Sequence, residues 1–232
     1  MEDVFIKLIV PFLEKTEYVN QELPDCEYML VDSIYDYVRE DDSEYAKLLN
    51  PDSIYGLFYV KKDGACVILI QRTDNYVELL HNILHETVHI LDFRELAKFT
   101  GICDMRQLQD DTFFILWSEF HAEYLAYRHL INQSKKNIVP FDIKNEFIQE
   151  MQNYSVGREV IELQPFTDFC VRLFGKYVAL AEEFEEIEKY PKGFFYNREF
   201  LNLYRYLNNH RTFESIKFGL DELKSMFKAL EK

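Results

Sequence analysis

Two histidines and a glutamate at helical spacing are the residues of this chain best suited to chemistry. His85, Glu86 and His89 form an HExxH pattern. Residues four apart on a helix lie on nearly the same face, about 6 Å apart along the axis, so both imidazoles can converge on one ion. Zinc takes such nitrogen ligands, and Glu86 can hold and deprotonate a water that the metal activates. The spacing therefore predicts a Zn²⁺ site with His85 and His89 as ligands and Glu86 as the catalytic base.

A third protein ligand is expected, because a catalytic zinc ion takes three protein ligands and keeps one position open. The segment 117–126, about 30 residues after His89, offers Glu119, His121 and Glu123. On a helix the two glutamates share a face, whereas His121 points about 200° away from Glu119, so only one face can meet the metal. We expect Glu119 to bind the metal and Glu123 to accept a hydrogen bond from a ligand histidine. A solvated acidic face is the alternative.

His81 lies one turn before His85 and makes a stripe of three histidines. His81 and His89 would lie about 12 Å apart along a straight helix, so the three cannot bind one ion together. We expect His81 to be a polar neighbour of the site. A metzincin-type extension would need glycine at position 92 and histidine at position 95, where this chain has Asp92 and Glu95.

A predicted hairpin precedes the histidines. Segments 56–60 and 65–70 are rich in β-forming residues, and Asp63-Gly64 between them is a strong turn signal. The stretch 26–38 can be a strand, a helix, or one followed by the other.

After the hairpin the apolar period changes from 2 to 3.6 residues. This change predicts a helix over about 75–99 that carries the HExxH pattern. Asp74 or Thr73 can cap its start, and Gly101 can close its end. The motif is therefore expected in mid-helix.

Helices are expected over most of the remaining chain. An amphipathic helix is predicted over 3–15, a long helix over 111–130, and a linker over the polar stretch 132–140. Further helices are predicted near 141–153, 158–190, 195–208 and 212–230. The predicted fold class is α+β, with a small antiparallel sheet beside the HExxH helix and the Glu-bearing helix. A core over 1–131 is expected to pack against a mostly α-helical region over 132–232.

The order of these motifs resembles the gluzincin zinc metallopeptidases. An HExxH helix is followed about 30 residues later by a second acidic helix, and the segment 119–126 is similar to the E-x-x-A-N/D-x-F-A segment of ImmA/IrrE-type peptidases. The resemblance covers about residues 50–130, with Glu123 where that family has Asn or Asp. It implies a gluzincin-like core and zinc-dependent cleavage of peptide bonds in an intracellular regulatory protein.

The composition of the chain disfavours several classes of binding partner. The formal charge of −15 disfavours direct binding to nucleic acid and to anionic membranes. The N-terminus lacks the basic start of a signal peptide, and no segment has the roughly 20 apolar residues that span a bilayer. Four cysteines without a CxxC pair are expected to be reduced, mostly buried thiols. The chain is therefore predicted to be cytoplasmic, with a protein or peptide substrate.

Two other functions are compatible with the sequence. The chain can be a non-catalytic, gluzincin-fold regulatory module whose helical half binds another protein. A structural zinc site with four protein ligands is a weaker alternative, because no fourth Cys or His ligand lies nearby in sequence. The predicted enzyme and the regulatory module differ in whether Glu86 is needed for activity.

Overall fold

The computed structural model describes residues 2–22, 25–51, 54–109, 111–136, 163–185 and 198–230, with single positions 145, 147, 149 and 187. Contacts between residues divide the chain into two units, Met1–Asp110 and Asp111–Lys232. The fold is α+β, with mostly helical content and a small mixed sheet, as the sequence predicts in outline. The predicted extent of the core, 1–131, stays a prediction.

The first unit contains the sheet and the HExxH helix. Its elements in chain order are α1 (Glu2–Leu13), β1 (Glu27–Val31), α2 (Ile34–Asp41), α3 (Ser43–Ala46), β2 (Gly56–Val60), β3 (Cys66–Gln71), α4 (Tyr76–Thr100) and α5 (Met105–Leu108). The ambiguous stretch 26–38 is a strand followed by a helix. The helix starts there because the Ser33 side chain accepts a hydrogen bond from the backbone N–H of Asp36.

Among the described residues the sheet has three strands in the order β1-β3-β2. The hairpin of β2 and β3 is confirmed, with Phe58 opposite Ile68 and Gly64 at a φ of 88° in its turn. The prediction of a purely antiparallel sheet was wrong, because β1 pairs with β3 in parallel. In this pair Tyr28 lies opposite Ile68. The chain passes through α2, α3 and β2 before it returns as β3, and such a long connection permits parallel pairing.

Strand β3 is buried on both faces. On one face Val67 and Leu69 pack with Ile34, Val38 and Tyr59. On the other face α4 packs against β2 and β3, and the Phe58 and Phe93 rings lie 5.9 Å apart. Each buried aliphatic or aromatic side chain stabilises the fold by about 1.5–3 kcal/mol. This packing fixes α4 against the sheet.

Helix α4 has strong signals at both ends. Its N-cap is Asn75, whose side chain accepts hydrogen bonds from the backbone N–H groups of Val77 and Glu78. The predicted caps, Asp74 and Thr73, were therefore wrong by one and two residues. Gly101 closes the helix at a φ of 73°, as predicted. The HExxH pattern therefore lies in mid-helix.

The N-terminal segment is attached to α4 by side chains. Tyr18 donates a hydrogen bond to the Asp92 carboxylate, and the Gln21 amide donates to Glu95 at 2.6 Å. Asp92 and Glu95 stand where a metzincin would have glycine and histidine. In this chain both residues make structural contacts within the first unit.

The second unit is helical in its described residues. Its elements are α6 (Thr112–Lys135), α7 (Leu163–Glu183), α8 (Arg198–Asn209), α9 (Phe213–Ile216) and α10 (Leu220–Leu230). Helix α6 was predicted to end at residue 130 and extends to Lys135, so the first part of the predicted linker is helical. Residues 137–140 and nearly all of the predicted helix 141–153 lie outside the described residues. The predicted helix 212–230 is divided by a turn at Gly219.

Helices α6 and α7 approach each other closely at Gly175. A Cβ atom there would clash with the Phe120 carbonyl and lie 2.9 Å from the Glu123 Cβ. Trp117 on α6 is fully buried, and its indole N–H donates to the carbonyl of His210 at 2.8 Å. These contacts hold the acidic segment of α6 in a packed environment.

The four cysteines are free thiols. Burial raises the pKa of Cys170 to about 12, and burial is also the main cause that raises the pKa of Cys26 to about 12. The expectation of mostly buried thiols holds fully only for Cys170, because Cys26 and Cys66 are half-buried and Cys103 is exposed.

Candidate metal centre

His85 and His89 lie side by side on α4. Both are buried, with 2% and 7% of their surface exposed. Their Nε2 atoms are 3.0 Å apart, and the rings meet nearly edge to face at 80°. Two nitrogens that share one tetrahedral zinc ion at about 2.0–2.1 Å lie about 3.3 Å apart. The two imidazoles therefore converge as the sequence predicted.

Between the histidines, Thr87 faces the sheet. Its hydroxyl donates to the Ile83 carbonyl at 2.7 Å and lies 3.2 Å from the Tyr28 hydroxyl of β1. Burial raises the pKa of Tyr28, so this phenol stays neutral at physiological pH. The contact fixes the rotation of α4 and points the histidine face away from β1.

Glu86 is held by β2. One carboxylate oxygen, Oε2, accepts a hydrogen bond from the backbone N–H of Phe58 at 2.7 Å. The other side of the carboxylate lies against Gly56, where a Cβ atom would be 2.7 Å from Oε1 and 2.9 Å from Cγ. The strand thus fixes the position of the predicted catalytic base.

Glu119 and Glu123 lie on α6, which begins at the cap Asp111. Glu119 forms an ion pair with Arg172 of α7, with Oε2 and the guanidinium 2.9 Å apart. A carboxylate offers about four lone-pair positions, so this pair leaves room for a metal bond. Glu123 is buried, with 2% of its surface exposed. The alternative of a solvated acidic face therefore does not hold at Glu123.

Among the described residues, His81, His85 and His89 on α4 and Glu119 and Glu123 on α6 offer the kinds of ligand atom that hold a metal ion. Two imidazole nitrogens and a carboxylate oxygen are a donor set that zinc accepts. The assignment of Glu119 as the third ligand, with Glu123 beside a ligand histidine, stays a prediction.

The other predicted candidates have different surroundings. His81 is half-buried, lies 3.2 Å from the Asn82 side chain through its Nδ1, and has its ring 5.6 Å from that of His85. His121 is fully buried and stacks on Trp117 at 4.8 Å.

Three residues near the candidate ligands were missed from the sequence. Gly56 and Phe58 were recognised only as strand residues, although the predicted hairpin could have indicated that β2 lies beside the helix. Arg172 carries no sequence signal, because its pairing with Glu119 depends on how α6 and α7 pack.

No helix within the described residues is both long and apolar enough to cross a membrane. Comparison with models of protein families, with characterised proteins and with solved structures finds no match. The gluzincin relationship thus stands as a resemblance of motifs, and the function is inferred from the residues themselves.

Proposed function

We propose that this chain is a zinc-dependent peptidase that cleaves a protein or peptide substrate. The observation that carries the proposal is the convergence of the buried His85 and His89 imidazoles, whose Nε2 atoms lie 3.0 Å apart, with Glu86 next to the first histidine on the same helix. In this proposal His85, His89 and Glu119 would hold the ion. Bound zinc supplies a Lewis acid that polarises a peptide carbonyl and lowers the pKa of water toward about 7.

Glu86 acts as the base. Its carboxylate takes a proton from the attacking water and returns it to the leaving amine. The N–H of Phe58 and the bare backbone of Gly56 hold that carboxylate in place, so little rotamer freedom is lost during the reaction. Glu123, which is buried, orients a ligand histidine, and Arg172 orients Glu119.

The site is compatible with the gluzincin-like core that the motifs resemble, and the cytoplasmic location and regulatory substrate are part of the same proposal. A non-catalytic module is the competing function. It requires the same fold and allows the same metal, so zinc content alone does not separate the two.

Glu86→Gln separates them. The substitution keeps the shape and the oxygen that can accept from Phe58, but the amide cannot take a proton at neutral pH. We expect zinc content to be unchanged and hydrolysis of fluorescein-labelled casein, an unfolded substrate, to fall by at least about a hundredfold, the range for general-base catalysis. Glu78→Gln, two turns earlier on α4, is the matched control and should keep its activity. Equal casein turnover by the wild type and Glu86→Gln would favour the non-catalytic module.

A further inference from the structure

The outer edge of β2 runs beside Glu86. Within the described part of the chain, strand β2 is at the edge of the sheet, because the strand order is β1-β3-β2. The hydrogen bonds from Lys61 N–H to Ala65 O and from Gln71 N–H to Tyr55 O show which residues face β3. In an antiparallel pair every second residue points both backbone groups toward its partner, so Phe58 and Val60 point theirs outward. Such an outward edge is where an extended peptide can add as another strand.

The outward groups of this edge are already hydrogen-bonded within the first unit. The Phe58 N–H donates to Glu86, and the Phe58 carbonyl accepts from the side-chain amide of Gln109 at 3.3 Å. The Val60 carbonyl accepts from Nε of Arg106 at 3.0 Å. Both side-chain donors come from residues 101–109, the segment that follows α4, which we call the edge cap.

The edge cap is held by the buried side chain of Leu108 and by hydrogen bonds and an ion pair of its polar side chains. Arg106 also pairs with the Asp42 carboxylate at 3.0 Å, and 37% of its side chain is exposed. A groove of about 480 Å³ lies along the cap, lined by Asp42, Tyr45, Val60, Asp104, Arg106, Gln107 and Gln109. Burial, followed by the charge of Glu86, raises the pKa of Tyr45, one of the residues that line the groove. Hydrogen bonds and ion pairs that are only partly buried, as these are, each stabilise by small amounts.

We propose that the edge cap is an autoinhibitory contact, in which Arg106 and Gln109 occupy the acceptors that an extended peptide uses on β2. A peptide then binds only when the cap is displaced, and its apparent affinity falls by the fraction of molecules that are uncapped. Cleavage of the bound peptide rests on the proposed function, whereas the binding step does not depend on it. A cap that only protects the edge from aggregation would give no gain in peptide binding when it is weakened.

The test measures binding separately from turnover. The probe is fluorescein-labelled oxidised insulin B chain, and its anisotropy is titrated with zinc-loaded, full-length Glu86→Gln protein so that no cleavage occurs. Arg106→Ala combined with Gln109→Ala weakens the cap. Gln109→Glu is a milder variant of the same size whose carboxylate cannot donate to the Phe58 carbonyl. Arg39→Ala, at an exposed arginine on α2 outside the cap and the groove, is the control.

We expect the double variant to bind the peptide about fivefold or more tightly than the parent, since one net hydrogen bond shifts an equilibrium by roughly that factor. Gln109→Glu should change in the same direction and Arg39→Ala should not. Unchanged or weaker binding in both cap variants, with circular dichroism like the parent, overturns the proposal, as does self-association without tighter peptide binding. If the cap variants bind more tightly but zinc-loaded protein that retains Glu86 does not cleave the same peptide, the cap is supported and the peptidase is refuted.

Discussion

At Gly56 the missing side chain decides where the Glu86 carboxylate lies. Oε1 and Cγ of Glu86 come within 2.7 and 2.9 Å of the place where a Cβ atom would stand. Real Cβ atoms do not approach other heavy atoms so closely, so any side chain at position 56 must displace the base. The small residue is thus part of how the base is held, although it contributes no chemical group.

Gly56→Ala is therefore expected to impair hydrolysis more than stability. The added methyl group pushes Glu86 away from Phe58. The rate of hydrolysis falls about tenfold for each 1.4 kcal/mol of transition-state stabilisation that is lost when the base is misplaced. Overpacking should lower the free energy of unfolding by about 1–3 kcal/mol. Casein turnover and chemical denaturation measure the two effects.

Gly64→Ala is the control, because Gly64 has open space around it but a φ of 88°. It should cost about 1 kcal/mol of stability and leave turnover unchanged. Equal turnover in both glycine variants would contradict the role of Gly56.

His81 and His89 lie one turn before and one turn after His85, so they are alternative partners for it around one ion. A structural zinc site is worth about 10–16 kcal/mol over its ligands, so the loss of one ligand costs several kcal/mol. If His85, His89 and Glu119 hold the ion as proposed, His89→Ala lowers zinc affinity by at least about a hundredfold and His81→Ala has a much smaller effect. Competition with a chromophoric chelator measures both constants. The reverse order would place the ion with His81 and His85 instead.

Residues with local signals could be predicted, and residues fixed by tertiary contacts could not. The HExxH pattern is local to one helix, so the convergence of His85 and His89 follows from its spacing. The hydrogen bond of Glu86 to Phe58 depends on how α4 lies across the sheet, and the pair of Glu119 with Arg172 depends on the packing of α6 on α7.

Among the elements, the hairpin and the long helices were predictable because their turn and end signals are strong. Asp63-Gly64 and Gly101 require backbone conformations that glycine adopts readily, and both have positive φ values in the structure. The parallel pairing of β1 with β3 has no such signal, because a short apolar strand does not indicate its direction. The Asn75 cap was missed because three neighbouring residues, 73–75, can all cap a helix.

At Gly175, where α6 packs on α7, helix propensity and steric crowding predict opposite changes in the free energy of unfolding when alanine replaces the glycine. Replacing a helical glycine by alanine stabilises an isolated helix by about 1 kcal/mol. At Gly175 the new methyl group would clash with the Phe120 carbonyl and crowd Glu123, which should cost about 1–3 kcal/mol. We expect the close approach to outweigh the propensity, so Gly175→Ala should lower the free energy of unfolding in urea. An increase would mean that α6 and α7 can separate at no cost.

At the scale of the whole molecule, zinc should stabilise the native state, because His85 and His89 are brought together only when α4 folds. Zinc at about 100 times its Kd adds about 2.7 kcal/mol, which raises the Tm of a chain of this size by roughly 5–10 °C. The chain also has 41 acidic residues and a formal charge of −15, so zinc binds weakly to many carboxylates in the folded and unfolded states alike. His89→Ala keeps all of those carboxylates and removes one proposed ligand. The difference in Tm shift between the wild type and His89→Ala, followed by circular dichroism, therefore isolates the site, and Mg²⁺ should give no such difference because it prefers oxygen ligands. Equal shifts in the two proteins would show that zinc acts through the acidic surface, and the proposed metal centre would be wrong.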